Sequence, residues 1–526
     1  MTKHLRHKAH SASATPEQLE QVFQYIKANW QILTRSNKDL AESAVDPKFK
    51  TGSERSIVYL SRTENLQNVS VRLENEMTMD SRAKIELRTL PANVEQMTDH
   101  GLLYLPNPYV VPGGRFNEMY GWDSYFIHLG LLRDNQIELA KGMTENLFYE
   151  IEHYEKILNA NRTYYLTRSQ PPFLSLMVRD VYRHIKDQKW LAQAAPFVEK
   201  TYQFWTSEPH LIRQTGLSRY YSAGSGAAPE VLADECDALG RTHYDRAREF
   251  YQNNQIDDYD VSQYYDRKND QLTALFYVGD RTMRESGFDP SNRFGQFNVN
   301  VINYHPVCLN SLLYQIEIDM AEISREIGDA TAADEWQRNA LDRAAQINKL
   351  LWDEQDGLYY DLNFNSERLR RYPFLTTFYP LWVGLADKNQ ARRVMENLRL
   401  FEQPGGLQTS SFKTGSQWDA PFGWGPLELI AVEGLRRYGY EQAADRITIN
   451  FLSLVLKEFI KTQTIVEKYD VERRESEVAG DIKFGYDTNV IGFGWTNGAF
   501  VKLYDQLSKS AQERVLQING EQIPQK

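Results

Sequence analysis

The chain has 526 residues, 41% of them hydrophobic and 25% charged, and 60 Lys and Arg against 71 Asp and Glu leave a formal charge of -11. At roughly 150 residues per domain this length admits three domains or one large architecture; the apolar share excludes a chain dominated by disorder, and the acidic balance without a long basic run excludes a nucleic-acid stripe. Aromatic residues reach 12%, many of them beside charged or amide side chains, a mixture that suits a ligand with apolar ring faces and polar edges.

The first fifteen residues are basic in places but lead into no apolar run, so they read as neither a secretory signal nor an anchor. His4, His7 and His10 have a spacing compatible with a metal, yet in a short Ser- and Ala-rich stretch they read as a plain terminal tail. No run of about eighteen apolar residues occurs, and Cys236 and Cys308 are too few for a disulfide framework. A soluble cytoplasmic protein, without membrane contact, is the expectation.

Periodicity predicts helices over 16 to 35, 122 to 133, 135 to 156, 172 to 185 and 189 to 206, with Pro16 and Pro171-Pro172 as start signals. Between the first two, 56 to 90 alternates in a strand-like way at Ile57 and Tyr59 and again at Val69, Val71 and Leu73, so a separate N-terminal unit with strands stays open as an alternative. The stretch 222 to 270 mixes Tyr244, Tyr251, Tyr259, Tyr264 and Tyr265 with Asp, Asn and Arg and reads as a lid or a surface elaboration. From 311 onward helix follows helix: Leu312, Leu313, Ile316, Met320, Ile323 and Ile327, then Trp336 to Leu351, then segments near 376 to 386, 390 to 400, 427 to 438 and 441 to 460. No strand-crossover-strand alternation is visible, which argues against a doubly wound sheet or a (β/α)8 barrel. The fold class is therefore all-α dominated. One main body over 91 to 510, with a Tyr-rich insertion near 231 to 280, is expected between an N-terminal extension over 1 to 90 and a C-terminal tail over 511 to 526.

Three loops concentrate chemistry: 105 to 125, 403 to 426 and 465 to 498. In the first, Pro112-Gly113-Gly114-Arg115-Phe116-Asn117-Glu118-Met119-Tyr120-Gly121-Trp122-Asp123-Ser124-Tyr125 joins a guanidinium fork, aromatic faces and a carboxylate, the parts needed to bind a polyol. In the second, Gln417-Trp418-Asp419-Ala420-Pro421-Phe422-Gly423-Trp424-Gly425-Pro426 repeats the Trp-Asp pair. Either pair alone reads equally well as a buried indole whose N-H meets a carboxylate. HExxH, GxSxG and GxxxxGK[ST] are all absent, so the sequence predicts no metal site, no serine-hydrolase elbow, no nucleotide site and no cofactor.

These two segments resemble the signature motifs of the trehalases, PGGRFxExYxWDxY and QWDxPxGWxP, at every fixed position. The similarity extends through 159 to 172, Glu285-Ser286-Gly287-Phe288-Asp289, Pro404 to Ser410, Val466-Glu467-Lys468-Tyr469-Asp470-Val471 and Gly492 to Gly498, and so spans roughly 105 to 500. The resemblance implies an (α/α)6 toroid and hydrolysis of a small α-glucoside by a monomer or small homo-oligomer. It further implies that Asp289 is the general acid and Glu467 the general base of an inverting reaction, whose two carboxyls stand ~6.5 to 9.5 Å apart. By the same likeness Arg115, Phe116, Trp122, Asp123, Asn159, Arg168, Gln170, Glu230, Gly287 and Trp418 line the sugar subsites. Gly287 is read as leaving room for a ring beside Asp289, and 471 to 491 as a mobile loop.

Departures from the family pattern fall around the leaving group. Ala228 stands where an Arg is usual, the Tyr-rich stretch lengthens the segment before Asp289, and the Gly-rich lid becomes Val478 to Val490. This asymmetry points to a smaller aglycone, as in glucosylglycerol or glucosylglycerate, with α,α-trehalose as the close alternative; the Tyr-rich stretch is where substrate identity is expected to reside.

Overall fold

The computed structural model describes residues 13–49, 55–234, 236–237, 239–478, 480, 482–485 and 488–521. His4, His7, His10 and the last five residues of the predicted tail lie outside the described residues.

Helix α1 (Pro16–Leu33) starts where Thr15 and Gln18 form a reciprocal capping box with proline in the first turn, which satisfies backbone donors that a helix start otherwise leaves open. Leu19, Val22, Ile26, Trp30 and Leu33 recur at three- and four-residue steps and make its buried face. Strand β1 (Ser56–Leu60), helix α2 (Leu66–Glu76), strand β2 (Ile85–Thr89) and strand β3 (Leu102–Leu103) follow. The strands pair in parallel in the order β2-β1-β3, with Val58 opposite Leu87 and Leu102. This small sheet corrects two expectations. The chain does contain a strand-helix-strand crossover, and Val69 and Leu73 are buried on α2 while Val71 between them is 46% exposed. Their alternation in the sequence hides an i, i+4 helical pair.

Six helices then form a closed ring: α3 (Gly121–Arg133), α5 (Leu174–Ile185), α9 (Val307–Glu326), α11 (Tyr379–Val383), α13 (Gly425–Arg437) and α15 (Gly494–Asp505). Each packs on the next in that order, and α15 packs on α3. Outer helices alternate with them in sequence: α4 (Ile137–Tyr154), α6 (Gln188–Trp205), α10 (Ala330–Leu350), α12 (Lys388–Glu396) and α14 (Glu441–Thr462). The remaining outer position, behind α15, is taken by α1, which packs on α14 and α15. Its Tyr25 hydroxyl meets that of Thr464, and its Trp30 indole donates to Asp134. The helix read from sequence as part of an extension is thus built into the ring. The architecture is an (α/α) toroid, as the family resemblance implied and in agreement with the helix-after-helix pattern. No helix among the described residues is long and apolar enough to cross a membrane.

The Tyr-rich stretch contributes α7 (His243–Asn253), and α8 (Ala274–Glu285) follows it. Tyr244, Tyr251, Tyr264 and Tyr265 are buried with Ala228, Val231, Phe276, Phe297 and Val299 in a hydrophobic cluster of their own. The stretch is therefore a packed subassembly with its own core.

Candidate active site

Because outer and inner helices alternate, every inner helix is entered from the same end of the ring, and the loops preceding inner helices gather there. Trp122 and Asp123 lie in the first turn of α3, Gln170 just precedes α5, Asp289 lies ahead of α9, Trp418 ahead of α13 and Glu467 ahead of α15. All twelve residues picked out in the sequence line one cavity of about 500 Å³: Arg115, Phe116, Trp122, Asp123, Asn159, Arg168, Gln170, Glu230, Gly287, Asp289, Trp418 and Glu467. Lys48, Tyr120, Tyr165, Arg246, Arg284, Phe493 and Trp495 line it as well.

Strands β4 (Phe422–Trp424) and β5 (Lys468–Asp470) pair antiparallel, with Trp424 opposite Lys468. That ladder brings the second motif beside Glu467. The same motif fastens the loop of the other carboxyl: Trp418 N–H donates to the carbonyl of Pro290 at 3.1 Å, Asn292 N–H donates to Asp419 at 2.9 Å, and the Gln417 amide donates to the carbonyl of Asp289. Lys468 Nζ donates to Gln417 Oε1 at 3.2 Å and to Glu467 Oε2 at 3.3 Å. A continuous chain, Asp289 backbone to Gln417 to Lys468 to Glu467, links the two carboxyl-bearing loops. Lys468 is fully buried, with its ammonium 5.2 Å from the centre of the Trp424 ring. Burial pulls its pKa down while the Glu467 charge works against that. Trp495 Nε1 and the Thr496 hydroxyl donate to the Glu467 carbonyl at 3.1 and 3.3 Å, fixing the backbone that carries the carboxylate.

Glu467 is buried, whereas the Asp289 side chain keeps 34% of its surface open. Arg284 Nη1 lies 3.9 Å from Asp289 Oδ2. Asp123 is also buried; burial first, and the charge of Glu467 second, push its carboxyl well above the ordinary range, so it holds a proton more readily than a surface carboxyl. Glu230 accepts from Arg168 Nη2 at 2.6 Å. Burial alone would raise the Glu230 carboxyl, but the guanidiniums of Arg168 and Arg284 outweigh it and hold it below the usual range. Gln170 accepts from Trp122 N–H at 2.9 Å, and the Asn159 amide donates to the carbonyls of Ser169 and Arg284.

The aromatic wall has depth. Trp418 stacks on Trp424 at 3.8 Å and 5°, and Trp122 meets Trp418, Trp495 and Phe288 with centroids 5.6 to 5.8 Å apart. Trp424, the second tryptophan of the second motif, is fully buried behind Trp418. Gly287 differs from its expected role. It has φ +79°, and a Cβ there would stand 3.0 Å from the indole of Trp122, so the ring that demands a glycine belongs to the protein. The five tyrosines expected to write substrate identity are absent from the cavity lining; from the same stretch Cys236, Asp237 and Arg246 reach it instead. Ala228 is buried in the tyrosine cluster, away from the lining. Arg284 was passed over in the sequence although it adjoins the segment Glu285 to Asp289, and Gln417 and Lys468 stood in the quoted motifs without a role.

The trehalase family model matches residues 3–508. The chain is 35% identical to a cytosolic neutral trehalase of Kluyveromyces lactis over 538 aligned positions, covering 90% of this chain and 69% of that protein. It is 36% identical to the cytosolic neutral trehalase of Saccharomyces cerevisiae, covering 75% of this chain and 56% of that one, so it spans little more than half the length of the second relative. The solved neutral trehalase Nth1 from Saccharomyces cerevisiae superposes with a TM-score of 0.78 at 31% identity, covering 95% of this chain and 96% of that chain.

Proposed function

The chain belongs to the trehalase family of glycoside hydrolases, and we propose that its cavity hydrolyses α,α-trehalose to two glucose molecules by direct displacement at one anomeric carbon. The observation that carries this reading is the convergence of Asp289 and Glu467, brought in by separate loops, on one aromatic-walled cavity and their linkage through Gln417 and Lys468. Asp289 gives its proton to the glycosidic oxygen as the C–O bond breaks. Glu467 takes a proton from a water molecule as that water forms the new bond on the opposite ring face. The indoles of Trp122 and Trp418 cover apolar ring faces, while Arg115, Asp123, Asn159, Arg168, Gln170 and Glu230 hold hydroxyls.

Trehalose is favoured over glucosylglycerol or glucosylglycerate on two grounds. The relatives carry the name trehalase over most of this chain. The sequence argument for a smaller aglycone also rested on an Arg lost at Ala228, a position buried away from the cavity, whose lining carries Arg284 and Arg246. The cytosolic naming of those relatives supports a cytoplasmic place of action.

Turnover on α,α-trehalose, glucosylglycerol and glucosylglycerate tests the reading, with NMR of the first-formed sugar. Trehalose should be the preferred substrate by at least about tenfold in kcat/KM, with β-glucose from the attacked ring and α-glucose from the departing ring appearing together in equal amounts. Preference for either glycerol-based glucoside overturns the substrate, and α-glucose alone as first product overturns direct displacement.

A further inference from the structure

Arg284 poses a chemical problem for an acid at Asp289. A general acid must carry its proton at the working pH, and a guanidinium 3.9 Å away favours the carboxylate instead. Asp280 stands one helical turn before Arg284 on α8, is 0% exposed, and accepts from Arg284 Nε at 3.3 Å. Glu230, which also feels this guanidinium, is already paired with Arg168 at 2.6 Å.

Asp280 is held in place from the Tyr-rich stretch. The Tyr244 hydroxyl donates to Asp280 Oδ2 at 2.9 Å and itself accepts from Ala228 N–H at 2.9 Å; His243 Nε2 lies 3.4 Å from Asp280 Oδ1. Tyr277 and Arg281, on the same helix as Asp280, also bear on it electrostatically. Among the described residues, the charged and titratable groups of the cavity that holds Asp289 include Arg284 at 3.9 Å and, around the lining, Lys48, Arg115, Asp123, Arg168, Glu230, Asp237, Arg246 and Glu467, with Lys468 acting on Asp289 from behind Glu467.

We propose that Asp280 is a positioning residue that balances and orients the Arg284 guanidinium so that Asp289 keeps its proton, and that the Tyr-rich stretch serves catalysis by anchoring Asp280 through Tyr244 and His243. This rests on Asp289 being the general acid. Burial would raise the Asp280 carboxyl, but Arg284, His243 and Tyr244 together hold it well below the usual range, so it supplies a standing negative charge. With Asn at 280 the Arg284 charge is less compensated, Asp289 ionises at lower pH, and the protonated acid is lost sooner as pH rises.

The test is the pH profile of kcat/KM on α,α-trehalose for the full chain and for Asp280→Asn, Asp280→Glu, Tyr244→Phe and Asp289→Asn. Asp280→Asn should move the alkaline limb down by about one pH unit, roughly a tenfold loss on that limb, while the acid limb stays in place. Asp280→Glu should bring the alkaline limb back toward its original position, and Tyr244→Phe should shift it in the same direction as Asp280→Asn but by less. A folded Asp280→Asn protein with an unmoved alkaline limb overturns the proposal, as does a loss that is uniform across pH. If Asp280→Asn does not fold, an unmoved limb in Tyr244→Phe overturns it equally. Substantial hydrolysis by Asp289→Asn strikes instead at the acid assignment and is distinguishable from those outcomes.

Discussion

Asp123 and Asp419 each follow a tryptophan, yet their surroundings give them different work. The Asp419 carboxylate accepts from Tyr372, Ser410, Thr414 and the backbone of Asn292, so its oxygens are committed to joining two loops. Asp123 lines the cavity. Substitution should separate the roles. Asp419→Asn turns an amide toward donors and should cost about 2 to 4 kcal/mol in denaturant unfolding. Glu467→Gln should cut kcat about a thousandfold and keep KM within about threefold, with a loss of unfolding free energy because the buried Lys468 ammonium loses its charge partner. A Glu467→Gln enzyme with near-normal turnover contradicts its role as base. Both aspartates were legible as motif members, but their division of labour was not, because it depends on Tyr372 and Asn292, remote from Asp419 in the chain.

At the scale of elements, the second motif, the segment after Glu467 and the Tyr-rich stretch form one assembly. Lys483 and Phe484 N–H groups donate to the carbonyl of Gly415, Gln417 N–H donates to the carbonyl of Phe484, and Arg246 donates to the carbonyl of Lys483. Gly485, at φ +109°, sits where a Cβ would meet the Gln417 side chain at 2.7 Å. Phe484 packs its ring on Phe250 and Phe297 at 5.8 and 5.1 Å. Since Ile482, Gly485 and Thr488 line the cavity, we infer that these residues cover the site, held by the hydrogen bonds to Gly415 and Gln417 and by the contacts of Phe484 with Phe250 and Phe297. Phe484→Ala should therefore lower kcat/KM on trehalose about tenfold while changing unfolding free energy by only about 1 kcal/mol. Unchanged steady-state kinetics count against a cover. The tyrosines drew attention in the sequence as ligand contacts because exposed aromatics beside charges suit a sugar; their burial around Phe276 and Phe297 depends on a partner helix and loop that local pattern does not reveal.

For the molecule as a whole, ring closure buries polar groups along with apolar ones. Burial raises Glu150 to about 8 and Asp319 to about 7, against hydrogen bonds that favour their charged forms. Unfolded, both return to the ordinary carboxyl range, so between about pH 4.5 and 8 these two groups hold more protons in the folded chain than in the unfolded one. The contribution of these groups is therefore full at the acid end of that window and is lost as pH rises through 7 to 8. Burial pushes His128, His210 and His305 down to about 3, 4 and 4, which opposes this trend up to about pH 6.5. The melting temperature should therefore fall from about pH 6.5 to 8, and Glu150→Gln should flatten the fall by about 2 kcal/mol of pH-dependent stability. A Glu150→Gln profile parallel to that of the parent chain contradicts the protonated burial. The same closure explains why α1 belongs to the ring: without it the outer face behind α15 would leave Phe500 and its neighbours open, and Phe23 of α1 meets Phe500 at 5.9 Å.

The sequence by itself determined the helices, because a buried stripe recurring every three or four residues is a local property, and it determined the family, because two long motifs survive in one dimension. It also picked out twelve residues that line the cavity, through those motifs and the further stretches of family likeness. What only the tertiary structure decided are relations between distant segments: that α1 closes the ring, that 69 to 73 is helical and packs on a small parallel sheet, that Trp424 and the tyrosines support surfaces they do not form, and that Gln417 and Lys468 tie the carboxyl-bearing loops together. Each depends on hydrogen bonds and contacts across the ring, and the direction in which a buried side chain faces is fixed by partners that lie far away along the chain.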